Sequence, residues 1–158
     1  MKQNTIFHET DIGPLTITAE NDHIIGIDFG VISSANHVNI PIINEAFGQL
    51  SEYFAGKRKI FNLPLKLSGT DFQKSAWEAL LKIPYGRTAT YGDIARMMGK
   101  RKAYRAVGMA CHRNPISIVI PCHRIIGASG NLIGYGGGIG IKAWLLELEA
   151  KYTHGLQI

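Results

Sequence analysis

The sequence predicts an α+β protein in two parts: a small N-terminal α/β domain, residues 1–67, with an antiparallel sheet and one helix, and a mainly helical C-terminal domain, residues 68–158, with a helix-turn-helix. Three observations predict it. Apolar and polar residues alternate along the first 40 residues as on a half-buried strand, later apolar residues recur every three to four positions as on a helix face, and the charge balance changes sign near Leu67. Residues 1–68 carry five Lys/Arg against seven Asp/Glu, a balance of −2, whereas residues 69–158 carry twelve against five, a balance of +7.

Local signals define each element. Leu15-Thr16-Ile17-Thr18, a turn at Asn21-Asp22 and the run His23 to Phe29 read as a β-hairpin or meander. Ile43, Ala46, Phe47, Leu50, Tyr53 and Phe54 lie at helical spacing and Gly56 supplies the stop, so one amphipathic helix follows the strands. The basic, Pro-containing segment 57–69 reads as a last short strand and a linker. Thr70-Asp71-Phe72-Gln73 is a capping-box sequence that opens a helix to about Lys82, ended by Ile83-Pro84-Tyr85-Gly86. Thr90-Tyr91-Gly92-Asp93 repeats the pattern and opens a short helix through Met98, which Gly99 stops; a further helix is expected from about Lys102 to His112. Two short helices joined by a three- or four-residue turn containing Gly form a helix-turn-helix. Ile116 to Ile120 is a β-branched run expected to be a buried strand, Gly127 to Gly140 a glycine-rich loop, and Ile141 to Lys151 a closing helix.

At 158 residues and 46% hydrophobic content the chain can bury a core. No stretch approaches the roughly 20 apolar residues of a membrane span, and Met1-Lys2-Gln3-Asn4-Thr5 leads into no apolar leader, so a soluble, cytoplasmic protein is expected. The two cysteines, Cys111 and Cys122, are too few for a disulfide framework. Arg96, Lys100, Arg101, Lys102, Arg105 and Arg113 share one window without an acidic residue, which suits a polyanion and equally a plain solvated face.

Pro121-Cys122-His123-Arg124 is the most informative tetrapeptide. Pro121 cannot extend a strand's hydrogen bonding, so Cys122 should emerge at the end of a rigid element, as a nucleophile requires. On these residues alone, a buried inert thiol and an activated one remain equally compatible. Cys-His-Arg also occurs at Cys111-His112-Arg113, but the spacing matches no zinc module and the first copy falls on a helix. The run Gly134-Tyr135-Gly136-Gly137-Gly138 departs from both nucleotide-loop fingerprints; its glycines suit close backbone approach to a ligand beside the flat Tyr135. Ala103, Ala106, Gly108 and Ala110 make the second helix of the helix-turn-helix small, with Arg105 its one long side chain in the first turns. That suits a narrow groove with one inserted arginine, or an alanine face packed in the core.

Taken in order, Phe72-Gln73 with Trp77, Ile83-Pro84-Tyr85-Gly86, Tyr91 with Ile94-Ala95, Arg105-Ala106-Val107-Gly108, Asn114-Pro115, Pro121-Cys122-His123-Arg124, Tyr135 with Gly137-Gly138, and Trp144-Leu145-Leu146 with Glu149 are very specific together. Over residues 70–150 the chain resembles the O6-alkylguanine-DNA alkyltransferases, also called methylated-DNA–protein-cysteine methyltransferases. The resemblance implies repair of O6-alkylguanine, with O4-alkylthymine as a further candidate, by single-turnover transfer of the alkyl group to Cys122 after base flipping. It implies that His123 takes the thiol proton through a water and is oriented by Glu149, that Tyr91 protonates the leaving guanine, and that Asn114 braces the turn. Arg105 corresponds to the finger that enters the duplex; Ala106, Arg113, Arg101, Lys102 and Arg124 are expected at the DNA, and Tyr135, Gly136, Gly137, Gly138 and Cys111 around the base pocket. Gly136 stands where many relatives carry Ser, and Cys111 where a larger residue is expected. No metal or organic cofactor is expected; the partner is double-stranded DNA approached from the minor groove, and the protein a monomer. The competing readings are a non-catalytic DNA-binding module or helix-turn-helix regulator, and a cysteine hydrolase that turns over many times.

Overall fold

The alternating N-terminal segment folds into a three-stranded antiparallel meander, β1 (Gln3–Thr10), β2 (Gly13–Glu20) and β3 (His23–Phe29), in the order β1-β2-β3. The computed structural model describes residues 2–32 and 38–154; the parts of the expected 1–67 and 68–158 ranges at Met1, 33–37 and 155–158 lie outside the described residues. The two-residue turn Asn21-Asp22 joins β2 to β3, with Asn21 at φ 53°, a conformation that Asn tolerates better than most residues. Pro41 opens α1 (Pro41–Phe54) in the first turn, where backbone N–H groups have no intrahelical acceptor and a missing one costs nothing. The helix buries Ile43, Ala46, Leu50 and Tyr53, the stripe expected from the sequence, and packs on β2, whose Leu15, Ile17 and Ala19 are fully buried.

By its internal contacts the chain divides into two compact units: residues up to Leu67 with Pro115–Ser117, and Ser68–Asn114 with residues from Ile118 onward. The range expected for the second part is therefore interrupted by three residues. They lie along the outer edge of β3, where the Ile27 N–H bonds the Pro115 carbonyl at 3.0 Å and Ile116 bridges Ile27. Farther along the same edge the Ile24 N–H bonds the Pro64 carbonyl at 2.8 Å and the Lys66 N–H bonds the Ile24 carbonyl at 3.0 Å. The strand expected within 57–69 is thus only a bridge at Leu65, since Pro64 has no N–H to continue a ladder. The expected strand at Ile116 to Ile120 is also absent. Its residues are apolar and Ile116, Ile118, Val119 and Ile120 are buried, but Ile118 has φ 74°, which breaks an extended run.

The second unit contains α2 (Asp71–Leu80), α3 (Tyr91–Met97), α4 (Tyr104–His112) and α5 (Ile139–His154). Both expected capping boxes form: Thr70 with Gln73 and Thr90 with Asp93 exchange side-chain and backbone bonds. The helix-turn-helix pair is present, but residues 98–103 connect α3 to α4, a longer link than expected. The Lys100 N–H returns to the Ala95 carbonyl and the Ala103 N–H to Lys100, so a separate turn is spent before α4 begins. α4 is fixed from behind by Trp77, whose buried indole N–H donates to the Ala110 carbonyl at 2.8 Å. Thr70→Ala removes one capping acceptor at the start of α2 and should lower stability by about 1 kcal/mol; the urea midpoint measures this, and an unchanged midpoint would mean that the cap contributes nothing.

Candidate active site

One tight turn positions the thiol. Pro121 has φ −82° and ψ 60°, and the Cys122 N–H donates to the Ile120 carbonyl at 2.8 Å, which together make an inverse γ-turn whose φ the proline ring presets. A single 3₁₀ turn, Cys122–Arg124, follows at once, with the Arg124 N–H on the Pro121 carbonyl at 3.0 Å. Ala89 then takes up the next stretch, donating to the Arg124 carbonyl at 3.0 Å and accepting from the Ile126 N–H at 2.9 Å. Asn114, beyond the end of α4, spans the turn: its Nδ2 donates to the Ile120 carbonyl at 2.8 Å and to Cys122 Sγ at 3.1 Å, one hydrogen to each. Cys122 is therefore buried and held at its backbone and at its sulfur.

Behind it lies Glu149 of α5, which is 1% exposed. His123 Nε2 is 2.7 Å from its Oε2, Arg124 Nε donates to Oε1 at 2.8 Å, Arg124 Nη2 donates to Oε2 at 3.0 Å, and the Gly86 N–H donates to Oε1 at 3.1 Å. An ionised carboxylate only accepts, so His123 donates from Nε2 and, when neutral, carries its lone pair at Nδ1. Gly86 can offer its amide because it is glycine: φ is +78°, and an added Cβ would stand 2.2 Å from Thr153 Oγ1. Burial pushes the Glu149 carboxyl up, but hydrogen bonds and charges from His123 and Arg124 outweigh burial and hold it at about 2. Burial pushes the His123 imidazole down against the opposing pull of Glu149.

Arg124 corrects the expectation that it contacts DNA. Its side chain is 8% exposed, two of its nitrogens are bonded to Glu149, and Nη1 donates to the Ile83 carbonyl at 2.6 Å. With three of its five N–H groups spent on internal acceptors and its side chain buried, the guanidinium is not presented to a phosphate.

In front of Cys122 is a cavity of about 530 Å³, a size that suits a small molecule or a nucleobase. Cys122, Tyr91 of α3 and Cys111 of α4 line it with Gly134, Tyr135 and Gly136 of the loop; Gly108, Met109 and His112 complete the α4 wall. Of the five expected pocket residues, Tyr135, Gly136 and Cys111 reach it. Gly137 and Gly138 do not line it; Gly138, at φ 95°, turns the loop into α5, its N–H on the Tyr135 carbonyl at 2.9 Å. Burial raises the Cys122 thiol above its ordinary pKa, with the Asn114 hydrogen bond and the Lys142 charge opposing. Burial likewise pushes Cys111 up to about 12 and raises the Tyr91 hydroxyl, which the neighbouring cysteines raise further. In the free protein both thiols, the phenol and the imidazole are therefore uncharged near neutrality.

Lys142 is a residue that the sequence reading missed. It is 1% exposed, and its Nζ donates to the Ile133 carbonyl at 3.0 Å, tying the pocket loop to α5. A lysine in a helix's first turn ordinarily reads as solvated, so no pattern marked it. In the sequence Gly86 reads as a helix stop and a motif residue, Gly108 as a small residue of the helix and His112 as part of the repeated tripeptide, none of them as a site residue, and Met109 is not singled out. Arg105, Ala106, Arg101, Lys102 and Arg113 are all exposed. Arg105 is three and four residues from Gly108 and Met109, which puts it on the α4 face that lines the cavity, about 6 Å along the axis. Among the described residues no group of three or more His, Cys, Asp or Glu could hold a metal ion, and no helix is long and apolar enough to cross a membrane.

The fold and site thus define a two-part α+β protein in which a buried thiol stands at the wall of a cavity, and the helix lining that cavity also carries an exposed arginine, Arg105. Residues 71–151 match the family model of the 6-O-methylguanine DNA methyltransferase DNA binding domain, and residues 5–67 that of its ribonuclease-like domain. The chain belongs to the 6-O-methylguanine DNA methyltransferase family. It is 47% identical over 149 residues to the methylated-DNA–protein-cysteine methyltransferase of Methanosarcina barkeri, covering 89% of this chain and 93% of the relative. It is 44% identical to the constitutive methylated-DNA–protein-cysteine methyltransferase of Bacillus subtilis, covering 89% and 92%. Among solved structures, Mycobacterium tuberculosis OGT in complex with DNA matches with a TM-score of 0.87 at 45% identity, covering 94% of each chain.

The depressed Glu149 carboxyl has a consequence for acid stability. In the unfolded chain a glutamate protonates near ~4.3, whereas the folded carboxylate resists down to about 2, so its contribution is fully present above the unfolded value and is lost as pH falls toward the folded one. Urea midpoints measured from pH ~6 to ~2.5 should fall more steeply for wild type than for Glu149→Gln. Parallel slopes would contradict the assignment.

Proposed function

We propose that this chain repairs O6-alkylguanine in DNA by taking the alkyl group onto Cys122, irreversibly and once per molecule. The observation that carries this reading is the thiol itself, which opens on a base-sized cavity with Asn114 on its sulfur and the His123–Glu149 pair behind it. The names of the Methanosarcina and Bacillus relatives support the transfer, and the Mycobacterium relative in complex with DNA supports DNA as the partner.

The thiol proton passes to His123 through a water, and the sulfur attacks the alkyl carbon opposite the guanine oxygen. The carbon–sulfur bond forms as the carbon–oxygen bond breaks, and the electron pair leaves with the base. Tyr91 protonates that base, so the departing group need not leave as an anion. The proton held by His123 then replaces the one that Tyr91 gave up, so thiol plus alkylated base becomes thioether plus free base with no cofactor. Its product is a thioether, which none of these residues is arranged to cleave, so the protein is consumed.

Access to the lesion requires flipping, which costs a few kcal/mol and least where damage has already weakened pairing. Arg105 fills the gap left in the stack. The exposed Ala106 lets α4 approach the minor groove closely, and Arg101, Lys102 and Arg113 hold the phosphates. Gly136 at the pocket wall supplies no side-chain hydroxyl and leaves backbone N–H groups to meet the lesion, and O4-alkylthymine is a further candidate substrate. The protein acts as a monomer in the cytoplasm, where its two free thiols remain reduced.

Two experiments test this. Intact mass spectrometry after incubation with duplex DNA containing O6-methylguanine should show one added methyl on wild type and none on Cys122→Ser; an unchanged wild-type mass would sink the proposal. Arg105→Ala should slow repair of duplex DNA at least about tenfold while barely altering reaction with a free O6-benzylguanine base, since each tenfold corresponds to about 1.4 kcal/mol of lost transition-state stabilisation. Equal losses on both substrates would remove the finger role.

A further inference from the structure

We infer that Arg124 is a positioning residue for the reaction proposed above: by balancing the charge of Glu149, its guanidinium keeps His123 neutral and able to accept the Cys122 proton. The inference rests on Cys122 being the alkyl acceptor.

A carboxylate buried against an imidazole and nothing else is stabilised when the imidazole is protonated, because an unbalanced buried charge is costly. Such a histidine already holds its proton and cannot serve as a base. Here the carboxylate is satisfied without it. A guanidinium is a permanent cation in proteins, and the Arg124 fork takes both Glu149 oxygens at 2.8 and 3.0 Å; the Gly86 amide adds a third bond at 3.1 Å. The resting set of Glu149⁻, Arg124⁺, neutral His123 and Cys122 thiol carries no net charge. Proton transfer then creates an imidazolium and a thiolate within a frame that is already balanced.

The groups facing His123 agree with this. From α5 come Glu149 and Lys142, from its own turn Arg124 and Cys122, and from the pocket loop Tyr135, whose ring centroid is 6.4 Å away. Among these described groups Glu149 favours the imidazolium, whereas burial, Arg124 and Lys142 oppose it. Lys142 is engaged with the Ile133 carbonyl, so Arg124 is the cation in direct contact with the carboxylate. The guanidinium is itself held, by the Ile83 carbonyl at 2.6 Å and by the Tyr85 ring, 5.7 Å from its carbon. That anchorage fixes the carboxylate's direction as well as its charge.

The test combines nitrogen NMR of the His123 ring with the pH dependence of methyl transfer from O6-methylguanine DNA. In wild type the ring should be the neutral Nε2–H tautomer at about pH 7, with the acid limb of the rate below the ordinary histidine value of ~6.5. Arg124→Met should move that limb upward by about one unit or more, so that transfer below it falls roughly tenfold and recovers in alkali. Arg124→Lys keeps the charge and loses the fork; its limb should stay near wild type while the rate drops. An imidazolium in wild type at about pH 7, or a folded Arg124→Met with an unmoved limb, overturns the inference. Should Arg124→Met not fold, Arg124→Gln, which keeps hydrogen-bond donors toward Glu149 but not the charge, takes its place with the same expected and overturning outcomes. A wild type that takes no methyl group from O6-methylguanine DNA defeats the proposed function instead, and the ring titration separates the two failures.

Discussion

The carboxylate of Glu149 is the point on which the second unit turns. It belongs to α5, yet it accepts hydrogen bonds from the turn after α2, through Gly86, and from the 3₁₀ turn, through His123 and Arg124. Removing a carboxylate from water costs several kcal/mol, and breaking a buried pair typically costs about 3–5 kcal/mol, because the remaining charge is stranded. Segments distant in sequence are thereby obliged to stay together. The nucleophile's turn is one of them, so the geometry around Cys122 follows from satisfying a charge some distance behind it.

That arrangement leaves the thiol quiet until it is used. Cys122 and Cys111 are neutral because burial raises both thiols, and His123 is neutral because it is buried beside a carboxylate already balanced by arginine. A protein that reacts once gains from such restraint, since a permanently ionised exposed thiol would be consumed by any electrophile or oxidant. The cavity is walled by three glycines, two cysteines and the rings of Tyr91 and Tyr135, with Met109 and His112, so its shape distinguishes it more than a dense set of polar groups does.

Much of this was legible in local patterns. Both capping boxes, the stripe on α1, the meander and the isolation of Cys122 after Pro121 depend on neighbours within a few residues, where spacing and chemistry determine the outcome. The failures share one cause. Ile116 to Ile120 has strand composition, but it lies against a single residue of β3 and Ile118 reverses its backbone, so burial without a ladder replaces the strand. Arg124 sits in a basic region and was expected to meet DNA, whereas a partner 25 residues later takes it inside. Lys142 was invisible for the same reason.

The sequence by itself determined the helices, their caps, the basic character of the second part, and a cysteine, histidine and glutamate in a recognisable order. Those properties are local, or are carried by motifs whose spacing survives in one dimension. Only the tertiary structure decided which cations face solvent and which are spent on a buried carboxylate, which glycines line the cavity and which merely turn the chain, and that Asn114 touches the sulfur. Desolvation and pairing belong to neighbours in space, so the protonation states on which the chemistry depends exist only once the chain has closed around them.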